Sequence, residues 1–369
     1  MQLNIVHIFI FLVIFLFIFP RDNFIKVEPY IIWKIDKENI KNYKYDKFYF
    51  SRIGKLKKLF LRNENKLAFF DNNGKIVKSY MLADKCLISS GTGEKGVVCY
   101  FKDKDSIYFL HRMQGIIWNY KTFAYPSLSL NNKWVILFTG ENGGYFVINS
   151  TTGNRLSEFI ASGSLILSYS VAYYTNLIAM GYVNGMVSLY NTKLDLLWSK
   201  SFTDSEIPII KKVSISPDGK YISVLAGLNK EHLYLLDNNG KIVLDYITGE
   251  ERRRPVELLF SMNSKFLIEE SENGFRIYSI KKRKLLFEKK LFEKSVERKI
   301  VSIDISPNGK FILIAYKQSN NISIIELYSN TGTMFFRLFF EKQLPLVLFS
   351  FDKNSFLIET NNKIFVYGF

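Results

Sequence analysis

Beyond residue 20 the chain alternates short apolar runs with clusters of Gly, Asn, Asp, Ser and Lys. The runs are roughly five to eight residues long and rich in Ile, Val, Leu, Tyr and Phe, which suits strands and not helices. The stretch from Lys211 shows the unit: KKVSIS, a PDG turn, KYISVLAG, LNKE, HLYLLD, an NNG turn and KIVLDYIT. Asn-Gly and Asp-Gly supply the positive-φ positions that tight hairpins need. Each such unit predicts four antiparallel strands.

The unit recurs. DNNGKIV stands at residues 71–77 and again at 237–243, four steps of roughly 41–42 residues. SISPDGKYISV (214–224) returns as DISPNGKFILI (304–314), two steps of about 45 later. Weaker copies keep the phase: LSLNNKWVIL from Leu128, SVAYYTNLIAM from Ser170, FSMNSKFLIEE from Phe260 and FSFDKNSFLIE from Phe349. Four strands in roughly 43 residues is the size of one propeller blade. A lone blade cannot bury both faces, so blades must pack on one another and the array must close. First strands begin near Phe48, Cys86, Ser127, Tyr169, Lys212, Val256, Val301 and Leu346. The last unit lacks its fourth strand, and PYIIWKID at 29–36 is the candidate to supply it, which would remove an exposed sheet edge. The expectation is an all-β, eight-bladed β-propeller over residues 29–369, closed by its N- and C-terminal strands. Seven blades is the alternative, because the first two units are the most irregular.

The propeller is preceded by IVHIFIFLVIFLFIF at 5–19, with His7 its one polar interruption. As a helix this would span roughly 25 Å, slightly short of a bilayer core but tolerable with local thinning. A soluble core helix would show a polar face over four turns. The reading is a transmembrane signal-anchor helix in residues 1–20, membrane contact through residues 4–20, and a short linker at 21–28. The start MQLN has no Lys or Arg and the exit FIFPRDN offers no small-x-small site, so the anchor reads as uncleaved. No Cys lies nearby to carry a lipid. Arg21 and Lys26 follow the segment, which by the positive-inside rule would hold the propeller in the cytoplasm. An apolar N-terminus before one β-rich domain more often marks export. The extracytoplasmic (periplasmic) side is therefore expected, with a cytoplasmic-facing arrangement as the alternative.

The turns SPDGK (216–220) and SPNGK (306–310), the four-strand unit and its period resemble the broad WD-repeat-like and quinoprotein-like propeller superfamily of bacterial proteins. The resemblance covers about residues 30 to 369. Third strands end FFD, LYLLD, RIYS and FVYG, without the Trp-Asp and Gly-His of true WD repeats. Quinoprotein repeats carry a recurring Trp that locks adjacent blades; Trp33, Trp118, Trp134 and Trp198 do not recur in phase along this sequence. The resemblance implies a fold and leaves function open, since propellers host enzymes, scaffolds and receptors alike.

Composition narrows the chemistry. With 369 residues, 48% apolar and 23% charged, the chain is globular and not disordered. Two Cys and three isolated His exclude a disulfide scaffold, a four-cysteine zinc site and a helical zinc-hydrolase motif. SSGTGEKG (89–96) lacks the GK[ST] ending of a phosphate loop, and GENGG (140–144) joins two strands. Asp71, Asn72 and Asn73 lack the remaining spacing of a calcium loop, and no GxSxG occurs. The pairs Glu250/Glu251 and Glu269/Glu270 read as solvated surface, with strand neighbours facing opposite ways. Cys86 and Cys99 could bond across a ladder in an oxidising compartment; two small residues in packed strands is the plainer reading. No catalytic residue, cofactor or metal is expected.

The net charge of +16 is spread over clusters at 55–58, 252–254, 281–284 and 289–290. In a propeller, residues 252–254 sit in a four-to-one loop and 281–284 in a three-four hairpin, at opposite ends, which argues against one nucleic-acid groove. Anionic lipid headgroups would suit a tethered protein better. The functional expectation is a non-enzymatic, membrane-anchored interaction platform for protein partners in a membrane-associated complex. Its contact face would carry Arg252, Arg253, Arg254, Asn142, Asn184 and Asn273, because four-to-one and two-three loops share one end. The alternative is a ligand-binding or enzymatic propeller that uses its central channel.

Overall fold

The computed structural model describes residues 29–36, 47–49, 60–63, 66–70, 75–89, 95–101, 103, 105–129, 133–139, 144–157, 163–202, 206–252, 254, 256–291, 299–318, 322–341, 345–349, 355–360 and 363–368. The expected anchor and linker lie outside these residues. Among the described residues no helix is long and apolar enough to cross a membrane.

The described strands form eight antiparallel sheets, each a meander in chain order. These blades cover residues 47–81, 87–121, 125–149, 166–201, 210–247, 258–290, 299–341 and 346–368. The strand Tyr30–Asp36 completes the last of them, pairing with Lys363–Gly368 so that Tyr30 faces Gly368 and Asp36 faces Lys363. Head and tail of the propeller therefore share one sheet.

Among the described residues the third blade has three strands. Tyr145–Asn149 is followed by an isolated bridge, Ile148 to Arg155, and Leu156 N–H donates to Val147 O at 2.8 Å. There the Ser157 hydroxyl accepts the Val147 N–H at 2.8 Å, where a fourth strand would offer a carbonyl.

Burial follows position in the blade. Middle strands such as Tyr221–Ala226 and His232–Asp237 are covered on both faces by neighbouring blades, so they read as continuous apolar runs. The outer strand Lys284–Lys290 alternates exposed and half-buried residues, as a strand with one wet face must. Cores form between blades: Val224, Ala226 and Tyr234 of the fifth pack on Ala179, Val187 and Leu189 of the fourth. Near the axis first strands come within side-chain reach, and Ser168 and Ser170 accept the Val213 and Ile215 N–H groups at 3.0 and 3.1 Å.

An aromatic position recurs in the outer strands. Trp118, Trp198, Phe287 and Phe336 each stand beside a bulge in the outer strand, paired with a third-strand residue (Phe109, Leu189, Ile277 and Leu327). Trp118 Nε1 donates to Ser150 O of the next blade at 2.7 Å, and Trp198 Nε1 to Asn238 O at 2.9 Å. Each indole also lies on a glycine of that blade's three-four turn. A Cβ at Gly153 (φ +73°) would come within 2.8 Å of Trp118, and one at Gly240 (φ +79°) within 3.1 Å of Trp198. Two of the tryptophans thus hold equivalent places and lock adjacent blades, which corrects the reading that they do not recur. The bulge sets their register, and connections of unequal length hide it in the sequence.

Candidate partner-contact face

Four-to-one and two-three loops meet at one end of the propeller, here called the loop face. Glu272 N–H, in the two-three turn of the sixth blade, donates to Glu250 in the preceding four-to-one loop at 3.0 Å. Arg254 from the same loop pairs with Glu270. One-two and three-four turns occupy the opposite end, the turn face.

The expected contact residues divide. Asn184 is exposed, and its carbonyl oxygen accepts the Met186 N–H at 3.2 Å, closing the turn beneath it. Asn273 is half-buried in the equivalent two-three turn of the sixth blade. Arg254 keeps part of its guanidinium in solvent while bound to Glu270. Asn142 and Arg253 lie outside the described residues. Arg252 does not belong to the surface: it is 4% exposed.

Arg252 is the centre of a buried charge network between the fifth and sixth blades. Its guanidinium contacts Glu231, Glu250 at 2.9 Å and Glu269 at 2.6 Å, and donates to the Glu270 carbonyl. Arg276 reaches Glu250 at 2.8 Å, Glu269 at 3.2 Å and Glu288 at 3.1 Å. Lys211 completes Glu231 at 2.7 Å, and the Tyr278 hydroxyl donates to Glu269 at 2.6 Å. Burial pushes the Glu269 carboxyl above its usual range, opposed by Arg252, Arg276 and Tyr278. Burial likewise pushes the Tyr278 hydroxyl up, and the Glu269 charge adds to it. Burial opposes the charge on both arginines, yet the surrounding glutamates more than offset it and hold them firmly protonated.

Glu269 and Glu270 are thus buried, at 0% and 5% exposure, and not the solvated pair read from the sequence. Strand alternation does separate them: Glu269 turns into the network and Glu270 toward Arg254 and the Glu257 N–H. The carboxylates of Glu231, Glu250 and Glu269 converge within 4.8 Å, a spacing that could hold a cation. The Arg252 guanidinium already serves all three, so the arrangement is an ion-pair joint between blades. A related joint in the seventh blade sets Glu326 against Tyr328 at 2.6 Å, Tyr316 at 3.2 Å and Arg337 at 2.6 Å.

Two hollows remain. On the loop face, between the third and fourth blades, a hollow of about 260 Å³ is walled by Tyr125, Phe138, Leu165, Ile166, Leu167 and Tyr169. Tyr125 and Leu165 are 56% and 61% exposed, and Phe123, two residues before Tyr125 in the chain, is 67% exposed. Along the axis, a cavity of about 210 Å³ is lined by first strands of the fourth to seventh blades, including Lys212, Glu257 and Asp304. Lys212 and Glu257 pair there at 3.5 Å.

The remaining candidates are structural. Cys86 and Cys99 are buried and not joined by a disulfide; Cys99 lies opposite Ile88. His232 is buried, bonded to Asp245 at 2.8 Å and stacked on Tyr234. In the second DNNGKIV copy, Asp237 accepts the Asn239 and Lys241 N–H groups at 3.0 Å, as a turn cap does.

A family model described as beta-propeller protein matches residues 2–336. The chain belongs to the β-propeller protein family. Among solved structures this propeller is similar to BamB from Moraxella catarrhalis, at 14% identity and a TM-score of 0.62, over 93% of this chain and 100% of that one. At that identity the likeness shows the fold, a β-propeller, as the repeat turns led one to expect. No curated protein matches the chain.

Proposed function

We propose that this β-propeller is a non-enzymatic interaction platform, tethered to a membrane by residues 4–20 on the extracytoplasmic side, and that its loop face binds a protein partner. The apolar hollow at Tyr125, Leu165 and Leu167 carries this reading. Contiguous exposed apolar side chains in a concave site mark a protein contact more often than solvent-facing surface, and aromatic anchors in pockets dominate such contacts. The buried charges support a structural role for themselves, because they are saturated by one another between blades. BamB-like architecture fits a rigid disc with loops on offer.

A photo-crosslinking residue at Leu165 tests the idea in native membranes. A discrete adduct, identified by mass spectrometry and lost on Tyr125→Asp, is the expected result. No adduct would remove the loop face as the contact surface. Protease shaving of spheroplasts tests the side: an intact propeller after digestion from outside would reverse it. A second reading uses the axial cavity, favoured by Lys212, Glu257 and Asp304 converging there. It predicts a ligand-induced rise in Tm that Lys212→Met abolishes and Leu165→Asp leaves unchanged.

A further inference from the structure

The two ends of the propeller differ in charge. Three one-two turns share one construction: Ser216, Ser261 and Ser306 each hold the following Asp218, Asn263 or Asn308 at 2.7–2.8 Å. The same Asp or Asn caps the N–H of Lys220, Lys265 or Lys310, at 3.2, 3.1 and 2.9 Å. The backbone of each lysine is thereby fixed while its side chain stands in solvent. The turns are also bonded to one another. Asp218 N–H donates to Ser264 Oγ at 3.2 Å, Asn263 N–H to Pro307 O at 3.1 Å and Asn263 Nδ2 to Asn308 O at 2.6 Å. The result is an ordered comb of lysines around the axis.

Three-four turns extend it outward with exposed Lys193, Lys241 and the basic run 281–284, against Asp195 and the turn-capping carboxylates. Exposed charge on the loop face leans the other way among the described residues. Asp84, Asp103, Asp105, Glu206, Glu251, Glu272 and Glu341 face solvent there, against Lys85, Lys121, Lys230 and Lys290.

Strand register fixes which end the N-terminus leaves from. Gly368 closes the third strand of the last blade on the turn face, and Tyr30 lies opposite it. The chain before Pro29 therefore departs from the lysine-bearing end. The nine residues 21–29 can reach at most about 30 Å when extended.

We infer that the turn face lies against an anionic lipid surface, with the loop face turned outward to its partner. This rests on the membrane-tether reading and adds an orientation to it. Basic groups within a Debye length of anionic headgroups are attracted, and a short tether on the same face raises their effective concentration there. A nucleic acid would meet the same charges, but the tether's exit on this face favours lipid.

The full chain is reconstituted into neutral phosphatidylcholine vesicles and into vesicles with about one-third phosphatidylglycerol. A fluorescent donor is placed at Asn239→Cys on the turn face or Asn184→Cys on the loop face, with an acceptor lipid in the bilayer. In anionic vesicles the turn-face donor transfers at least about two-fold more than the loop-face donor. Roughly 1 M salt, neutral lipid, or Lys220→Gln/Lys265→Gln/Lys310→Gln each at least halves that difference, because the attraction is screened or removed. Flotation with the vesicles but equal transfer from both donors, or more from Asn184→Cys, overturns the orientation alone. Failure to float in either vesicle overturns the tether and the orientation with it. A duplex DNA oligonucleotide that binds the turn-face donor while anionic vesicles change nothing would assign the comb to nucleic acid instead.

Discussion

Replacing Arg252 by Met removes the central cation of the joint between the fifth and sixth blades while nearly keeping its volume. Glu231 retains Lys211 and Thr248, and Glu269 retains Arg276 and Tyr278. Each nevertheless loses its contact with the guanidinium at a site with no exposure to water. Breaking a buried pair by removing one partner costs about 3–5 kcal/mol. At about 2.1 cal/mol/K of unfolding entropy per residue, that lowers Tm by roughly 4–7 °C for a chain of this length. The deficit depends on pH in a definite direction. Burial already raises the Glu269 pKa, and Arg252 is a leading opposing charge. Without it the folded-state pKa climbs further, so the folded protein binds a proton that the unfolded chain releases. Stability from that proton is full below the unfolded pKa and lost as pH rises through the folded one. Thermal melts of wild type and Arg252→Met should therefore differ least near pH 5 and most near pH 8. A deficit below about 1 kcal/mol, or one that is flat or shrinks with rising pH, would refute the argument that Arg252 is structural.

Trp118→Ala should destabilise by about 3–5 kcal/mol, whereas Trp118→Phe loses chiefly the Ser150 hydrogen bond and should cost about 1–2 kcal/mol; denaturant titration of both separates packing from bonding. Gly309→Ala forces a Cβ to 2.3 Å from Phe266 at a φ of +70° and should cost about 1–3 kcal/mol; Asn308→Ala, which keeps that backbone, should cost less. Deleting residues 30–36 uncovers the outer edge of Lys363–Gly368, and light scattering should show concentration-dependent aggregation absent from the intact chain.

The strand pattern and the blade-sized period were legible in the sequence because they depend on local rules, and the use of residues 29–36 followed from counting strands, the last unit being one short. Apolar runs bounded by positive-φ turns form hairpins wherever they occur, and a repeated hairpin unit repeats its fold. The charge network was not legible. Glu269 looks like a surface residue until one knows that Arg252, from a loop, and Arg276, from the adjacent strand, reach it from two directions. The tryptophan lock escaped for a related reason. Trp118 and Trp198 are equivalent by bulge register, and residue spacing drifts with connection length while register does not.

The same division governs function. The apolar segment at 5–19 and the net positive charge are properties of the chain itself. Which basic residues face outward together is a property of the fold. Arg252 disappears into a joint, while Lys220, Lys265 and Lys310 come side by side on the end from which the N-terminus departs. Short-range conformational preference acts between neighbours in sequence and can be read there. Burial and charge pairing act between neighbours in space, and only the packing of blade on blade decides who those are.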